Sequence, residues 1–486
     1  MAEAIPVKGA VAQQHSNTTA AAHIAILQPP RIGASGGGIA ERPSGTFCIY
    51  EGVIYRESGS VNHTLVEQHG AEVLLTHYLA SGVEGFTRVR GSFNAALWDA
   101  DKGVFILAND KLGHRPLFWG YRNGTLVFAS LLARVMASRI LATTIDVEAF
   151  ADLLSYEYIL GERTLFQDVR ILPPGSYLTL KDGNLQIRTY WRLDQVEVHG
   201  GYDARRQEEL QHAFTSAVQR AVRPDITCSV GLTGGLDSRC VLAAAASQQL
   251  SFISHTGGQE NSTDVVLSRQ LAERVGATHR FEQLSPEHTG AWLTPMVLHQ
   301  GGIIATLHSH PCQYLYEAPH CDAEVLGIGG EFVRSFWLSA KDPAITSQAD
   351  AQQFLRNRLM GKERRQQLEQ LWRPEFRTTG TRAPQEHLDS LLAAYTPQDT
   401  PAVALDYFYL HERCRKFLNK AVLISRAYEE VYFPFLDHQW IEAVAAVPLS
   451  ERLANKIQVE LIKNLYPSLL DIPYTKTLIS FSASPL

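Results

Sequence analysis

The chain has 486 residues, 45% of them hydrophobic, with 44 Lys and Arg against 50 Asp and Glu for a net charge of -6. That length predicts two or three domains, and the balanced charge excludes the basic face that a nucleic-acid partner needs. There is no run of 18 apolar residues to span a membrane and no signal-peptide pattern at the start, and six cysteines without CxxC spacing suit reduced thiols. The expectation is a cytoplasmic protein.

In chain order, residues 1 to 45, including the "GASGGG" of Gly33 to Gly38, read as weakly ordered. From Thr46 to Trp191 short β-like runs dominate, among them "TFCIYEGVIYR", "SFNAALWDA", "VFILAND" and "SYLTL". The turn pairs Lys102-Gly103, Asn123-Gly124 and Asp182-Gly183 separate them as hairpins require. A helix-rich insert, "HGAEVLLTHYLASG", makes this half mixed α and β in layers. After Trp191 the rhythm changes. Leu210, Phe214, Ala217, Val218 and Ala221 share one helical face, and the strand-like runs "TCSVGL", "LSFISHT", "THRFEQL" and "AEVLGIGG" alternate with helical ones. That alternation predicts a parallel sheet covered on both faces. Beyond Ser339 the pattern is mainly helical, broken at "PFLD" from Pro434 to Asp437.

In a parallel sheet ligands settle at the carboxyl ends of the strands, which is where "CSVGLTGGLDSRC" (Cys228 to Cys240) falls. Leu232 ends the strand, Gly234 and Gly235 let the backbone approach a ligand closely, and the following helix N-terminus favours an anion. Thr233 and Ser238 offer hydroxyls. A carboxylate at Asp237 would repel a phosphate unless Mg²⁺ bridged the two. The plain alternative is a strand-to-helix turn capped by Asp or Ser. A Walker loop is excluded, because no Gly-Lys-Ser/Thr follows.

"LTGGLDSR" resembles the Ser-Gly-Gly-x-Asp-Ser pyrophosphate loop of ATP pyrophosphatases that make acyl-adenylates, in the version found in asparagine synthetases and their relatives. "GSFNAALWDADKGVFILANDKLGHRPLFWG" and "LPPGSYLTLKDGNLQIRTYW" are similar to the N-terminal domain of that family, and "TDVVLSRQLAERVGATH", "GIGGEF" and "VYFPFLDHQWIEAVAAVP" to later blocks in the same order. The resemblance runs from about Thr46 to Pro467. It implies a degenerate glutamine amidotransferase-like domain over 1–195, with the αββα layers of Ntn hydrolases. Residues 196–486 would form an ATP pyrophosphatase-type (adenine nucleotide α-hydrolase-like) parallel α/β domain with a helical C-terminal part.

The resemblance further implies an ATP-dependent ligase that adenylates a carboxylate, releases pyrophosphate and joins the acyl group to an amine. ATP and Mg²⁺ would be held by Leu232, Thr233, Gly234, Gly235, Asp237, Ser238, Gly327 and Gly329, with Asp237 and Glu331 as metal ligands. Lys456 matches the lysine placed against the α-phosphate, and Lys463, seven residues on, is its alternate. Ile328 stands where asparagine synthetases have a Glu and β-lactam synthetases a Tyr, so the general base must come from elsewhere. Glu430 and Glu412, each expected on a helix, are the candidates; either is equally readable as an ion-pair partner. His308, His310, Cys312, His320 and Cys321 fit no zinc spacing and read instead as lying near the acceptor substrate.

Departures from the family bear on the first half. Glutamine-dependent members carry an N-terminal cysteine nucleophile, whereas here Ala2 follows Met1 and the nearest cysteine is Cys48. Glu51 replaces an oxyanion-holding Asn, and Gly70 stands near the position of the aspartate that anchors glutamine. The half is therefore expected to be a scaffold without glutaminase activity, as in β-lactam synthetases and lasso peptide cyclases. Asparagine synthesis from free ammonia, a peptide or lactam cyclisation, and a non-catalytic ATP-binding scaffold remain the alternatives. The partners expected are a small molecule or peptide with a carboxylate and an amine, with a homodimer or a partner protein open.

Overall fold

The computed structural model describes residues 11–17, 22–28, 36–55, 70–285, 293–294, 296–305, 321–339, 341–395, 401–426 and 429–481. Ala2, His308, His310, Cys312 and His320 lie outside the described residues. Two compact units divide the chain, and they do not follow chain order. The first comprises residues 1–192, 294–307 and 344–427; the second comprises 193–293, 308–343 and 428–486.

The first unit is built on a six-stranded antiparallel sheet. Its strands are β1 (Gly36–Glu41), β2 (Phe47–Tyr55), β3 (Arg90–Asp99), β4 (Val104–Asn109), β5 (Ser176–Lys181) and β6 (Asn184–Thr189), in the spatial order β6-β5-β4-β3-β2-β1. The hairpin turns fall at the predicted pairs, where Gly103, Gly124 and Gly183 take positive φ. Helix α1 (Gly70–Ser81) buries Leu74, Leu75 and Tyr78 in a cluster with Tyr50, Phe86 and Phe93. Helix α2 (Val147–Tyr156) is capped by Asp146, whose carboxylate accepts from the amides of Glu148 and Ala149 at 3.1 and 3.0 Å. A three-stranded sheet, Thr125–Ala129 beside Phe118–Arg122 beside Arg170–Ile171, also belongs to this unit, as does an antiparallel pair, Val11–Asn17 with Ala22–Gln28, which lies in the segment read from the sequence as weakly ordered.

The second unit holds the five-stranded parallel sheet that the alternating pattern predicts. Its order is β9 (His279–Gln283), β8 (Ile253–Gly258), β7 (Cys228–Gly231), β10 (Ala323–Val325), β11 (Glu430–Tyr432), all parallel. Helix α3 (Ala204–Ala221) buries Leu210, Phe214, Ala217, Val218 and Ala221, the five residues assigned to one face. Phe214 packs on Phe435 and Trp440 with centroids 4.6 and 4.9 Å away. The fifth strand is a correction to the sequence reading, which put Glu430 on a helix. Three residues are too short for a periodicity to register, but "EVY" is β-prone and pairs residue for residue with Ala323–Val325.

Candidate functional site

Strand β7 runs into the turn Leu232–Gly235 and then into helix α4 (Leu236–Ser247). The turn is held from several sides. The Leu232 amide donates to the His255 carbonyl at 2.9 Å, the Thr233 amide to Ser238 Oγ at 3.1 Å, and the Gly234 amide to Asp264 Oδ1 at 2.9 Å. Gly234 is required by crowding, since a Cβ there would come within 2.0 Å of Thr475 Oγ1. The N-cap residue of α4, Gly235, makes no side-chain cap bond, so the helix dipole opens onto the turn. This arrangement can receive a phosphate on first-turn amides.

A second turn, Gly327–Gly330, lies against the same helix end. A Cβ on Gly327 would meet Ser238 N at 2.7 Å, and one on Gly330 would meet Asp237 Oδ1 at 2.4 Å, so the first glycine lets the two backbones touch and the second leaves room for the Asp237 side chain. Gly329 takes φ +93°, which turns the chain into the short 3₁₀ run bearing Glu331. Asp237 is half-buried, and desolvation together with the neighbouring Glu331 pushes its carboxyl up to about 7. Arg334, Gln458 and Lys476 pull it back. Two neighbouring carboxylates in such surroundings would both ionise most readily around a cation, so the donor set fits Mg²⁺. Among the described residues no cluster of three or more His, Cys, Asp or Glu forms a metal cage. Mg²⁺ bound through one or two carboxylates and a substrate phosphate needs none.

Lys456 opens helix α5 (Lys456–Leu465), half-exposed, with its ammonium 3.5 Å from Glu451 and 4.9 Å from the centre of the Tyr202 ring. Lys463 on the same helix is exposed. The buried side of that helix presents Gln458 instead, whose amide donates to Asp237 and, at 3.2 Å, to the Gly330 carbonyl. Glu412 belongs to the first unit. It sits in a π-helical run, Tyr409–Leu418, where its carboxylate accepts from Lys416 at 2.7 Å and from the Gly161 amide at 3.0 Å. Glu430 is buried on β11.

Sequence reasoning missed the groups that tie this site together. Arg239 is wholly buried and donates to the carbonyls of Gly234, Leu469, Ile472 and Pro473 at 2.8 to 3.1 Å. Asp264 bonds both the Gly234 amide and Thr475 Oγ1, the latter at 3.0 Å. These contacts strap residues 469–475 against the glycine turn and bring Lys476 near Asp237. The one sequence signal was an arginine followed by an apolar run in the same helix, "RCVLAAAA".

In the first unit, a Cβ on Gly70 would come 2.2 Å from Tyr50 Cζ, so the buried tyrosine occupies the space of any side chain there. Cys48 is fully buried, and burial pushes its thiol up, away from the thiolate that attack requires.

Comparison with known proteins bears on both halves. A family model described as a glutamine amidotransferase domain matches residues 41–191, and one described as asparagine synthase matches residues 209–470. The glutamine-hydrolyzing asparagine synthetase 1 of Bacillus subtilis strain 168 is 26% identical over 262 residues, 52% of this chain and 41% of that protein. Amidase chyE of Penicillium rubens is 26% identical over 204 residues, 41% of this chain and 30% of that protein. The chain thus spans about two fifths or less of the length of these relatives. A solved structure of the allosteric regulatory enzyme of purine biosynthesis covers 50% of this chain and 46% of its own, at 11% identity and a TM-score of 0.22. The order of domains is an amidotransferase-type domain followed by an asparagine synthase domain, mixed α/β with a parallel sheet.

Proposed function

The chain belongs to the asparagine synthase family, and from that premise we propose that it is an ATP-dependent amide-forming ligase. A substrate carboxylate oxygen attacks the α-phosphorus of ATP and pyrophosphate leaves; an amine nitrogen then bonds the acyl carbon, AMP leaves, and the amine loses a proton. The observation that carries this reading is the meeting of two glycine turns at the uncapped start of α4, where Asp237 feels the charge of Glu331. The amides of that helix start, with Thr233 and Ser238, would cradle the phosphates, and Gly327 and Gly329 would keep the facing turn free of side chains. Asp237 and Glu331 would hold Mg²⁺, which when bound neutralises phosphate charge. Lys476 and Arg334 already act on Asp237, so their positive charge is positioned to stabilise charge growing on the departing pyrophosphate.

The amidotransferase-type half acts as a scaffold without glutaminase activity. The crowding of Gly70 by Tyr50 and the buried thiol of Cys48 support that reading. The five described cysteines form no disulfide, in keeping with a cytoplasmic setting. Among the described residues no helix is long and apolar enough to cross a membrane. The test is pyrophosphate release from MgATP across a panel of carboxylates, each with and without amines. The reading expects turnover with at least one pair and AMP in equal amount; ADP and phosphate as products would overturn it.

A further inference from the structure

A polar side chain in the core of a helix interface needs hydrogen bonds that an apolar one of the same size could not make. Gln458 is such a residue. On helix α5 it shares the buried side with Leu461 and Ile462, three and four positions on, and none of its surface reaches solvent. Its amide nitrogen Nε2 donates to acceptors on two different turns: to Asp237 Oδ1 at the start of α4 and, at 3.2 Å, to the Gly330 carbonyl of the second glycine turn. A backbone carbonyl can only accept, so the nitrogen must face it, and the orientation of the amide is fixed. The amide oxygen Oε1 is then left buried with no hydrogen-bond partner among the described residues.

A buried acceptor without a donor works against stability. What the amide secures instead is geometry. Gly330 immediately precedes Glu331, so the group that holds the Asp237 carboxylate also holds the chain beside the second carboxylate. Arg452, 3% exposed, grips the other side of Glu331: it donates to the carbonyls of Phe332 and, at 3.3 Å, Val333, and its guanidinium lies 4.6 Å over the Phe332 ring. The 3₁₀ run Gly330–Arg334 is thereby bonded on both sides of Glu331 by two residues six positions apart. Helix α5 is joined to α4 as well, where the Cys240 thiol makes a weak bond to the Gln458 carbonyl at 3.6 Å. Hydrogen bonds from one short stretch of chain thus reach both the helix that bears Asp237 and the turn that bears Glu331.

We propose that Gln458 is a positioning residue for the metal ligands Asp237 and Glu331: it aims the Asp237 carboxylate and fixes the turn that carries Glu331, with Arg452 holding that turn from its other side. The inference rests on the reading of those two carboxylates as Mg²⁺ ligands and adds that their relative placement is imposed from α5. Gln458 acts through them and not by touching the reacting atoms. Partners that orient the ligands of a metal in this way account for about 10- to 100-fold of its affinity.

The test uses the full chain and follows ATP binding by equilibrium dialysis at increasing Mg²⁺, with backbone hydrogen exchange on the same samples. Gln458→Met keeps the volume and removes the donors. It is expected to need about 10- to 100-fold more Mg²⁺ for half-maximal ATP binding, to bind ATP unchanged when Mg²⁺ is absent, and to exchange faster at residues 330–335 but not along α4. Should that variant fail to melt cooperatively, Gln458→Asn, whose shorter stem cannot reach both acceptors, carries the same expectation. An unaltered protein whose ATP binding ignores Mg²⁺ overturns the inference, as does a folded variant with the same Mg²⁺ dependence or one that loses ATP binding equally with and without Mg²⁺, which is what a merely structural glutamine would give. The products separate this claim from the ligase reading. ADP in place of AMP, with the Mg²⁺ dependence weakened in the variant, sinks the ligase reading and leaves Gln458 in its role, whereas AMP formation with an unchanged Mg²⁺ dependence in the variant does the reverse.

Discussion

Asp237 is where the chemistry of the glycine turn concentrates. Its carboxyl is raised to about 7 by burial and by Glu331, an arrangement that a divalent cation relieves. Asp237→Asn should therefore abolish the dependence of ATP binding on Mg²⁺ while leaving the melting temperature at or above that of the unaltered protein; equilibrium dialysis of ATP with and without Mg²⁺ reads this directly. The same reasoning separates two lysines. Lys476→Ala should lower kcat for pyrophosphate release about 100-fold with a smaller change in KM, the signature of charge met mainly in the transition state. Lys456→Ala removes an exposed pair with Glu451 and a contact with the Tyr202 ring, so its kcat should stay within about threefold. A third outcome concerns glutamine: with Gly70 filled by Tyr50, ammonia release from glutamine should not exceed a no-enzyme control. At this scale the sequence made the turn legible because glycine and aspartate at fixed spacing carry their own geometry. Gln458 and Lys476 were not legible, because their approach to Asp237 depends on contacts more than 200 positions apart in the chain.

At the scale of elements, two clasps hold segments remote in sequence, and neither has a motif. Arg239 takes four carbonyls around the turn and the 469–473 segment, and burial pulls its guanidinium down to about 10. Arg239→Met would leave those carbonyls without donors and cost about 3 kcal/mol or more. Hydrogen exchange should show the loss first at residues 469–477. The second clasp joins α2 to helix α6 (Pro374–Tyr395) within the first unit. Both ring nitrogens of His387 meet carboxylates, Nδ1 with Asp152 at 3.0 Å and Nε2 with Glu148 at 3.3 Å, while Arg163 also pairs with Glu148 at 2.5 Å. Burial alone would pull the imidazole down, but the bond to Asp152 prevails and His387 is raised. A raised folded-state pKa means that the native state holds the proton more tightly. The stabilisation is complete below the unfolded value of about 6.5 and is lost as pH rises through the folded value. Asp152, raised by burial, acts with the same sign but from a lower pH. Thermal melts of the unaltered protein should therefore fall relative to His387→Gln between about pH 6 and 8; parallel curves would exclude the clasp.

For the whole molecule, the helical and strand rhythms told the two sheets apart, because periods of two and of 3.6 residues are properties of neighbouring side chains. The division into compact units was not readable that way, since packing partners are chosen by surface and not by chain order. Residues 294–307 and 344–427 belong to the unit that begins the chain, and the reason is visible in its hydrogen bonds. The Ile159 amide donates to the Ile303 carbonyl at 3.0 Å, and the Ala305 amide to Glu157 at 2.9 Å. Tyr156 Oη donates to the Pro384 carbonyl at 2.8 Å, Arg415 Nε to Gly113 at 3.0 Å, and Lys416 Nζ to Ile159 at 2.8 Å. Cutting the chain after Arg192 would strip these partners from the buried residues Tyr156 and Ile159, leaving apolar surface and backbone groups exposed together. A fragment of residues 1–192 should therefore bind a hydrophobic dye and melt without a sharp transition, whereas the full chain melts cooperatively and does not bind the dye. A fragment that keeps a cooperative melt and excludes the dye would mean that the antiparallel sheet and α1 suffice as a core, and that the later segments only decorate it.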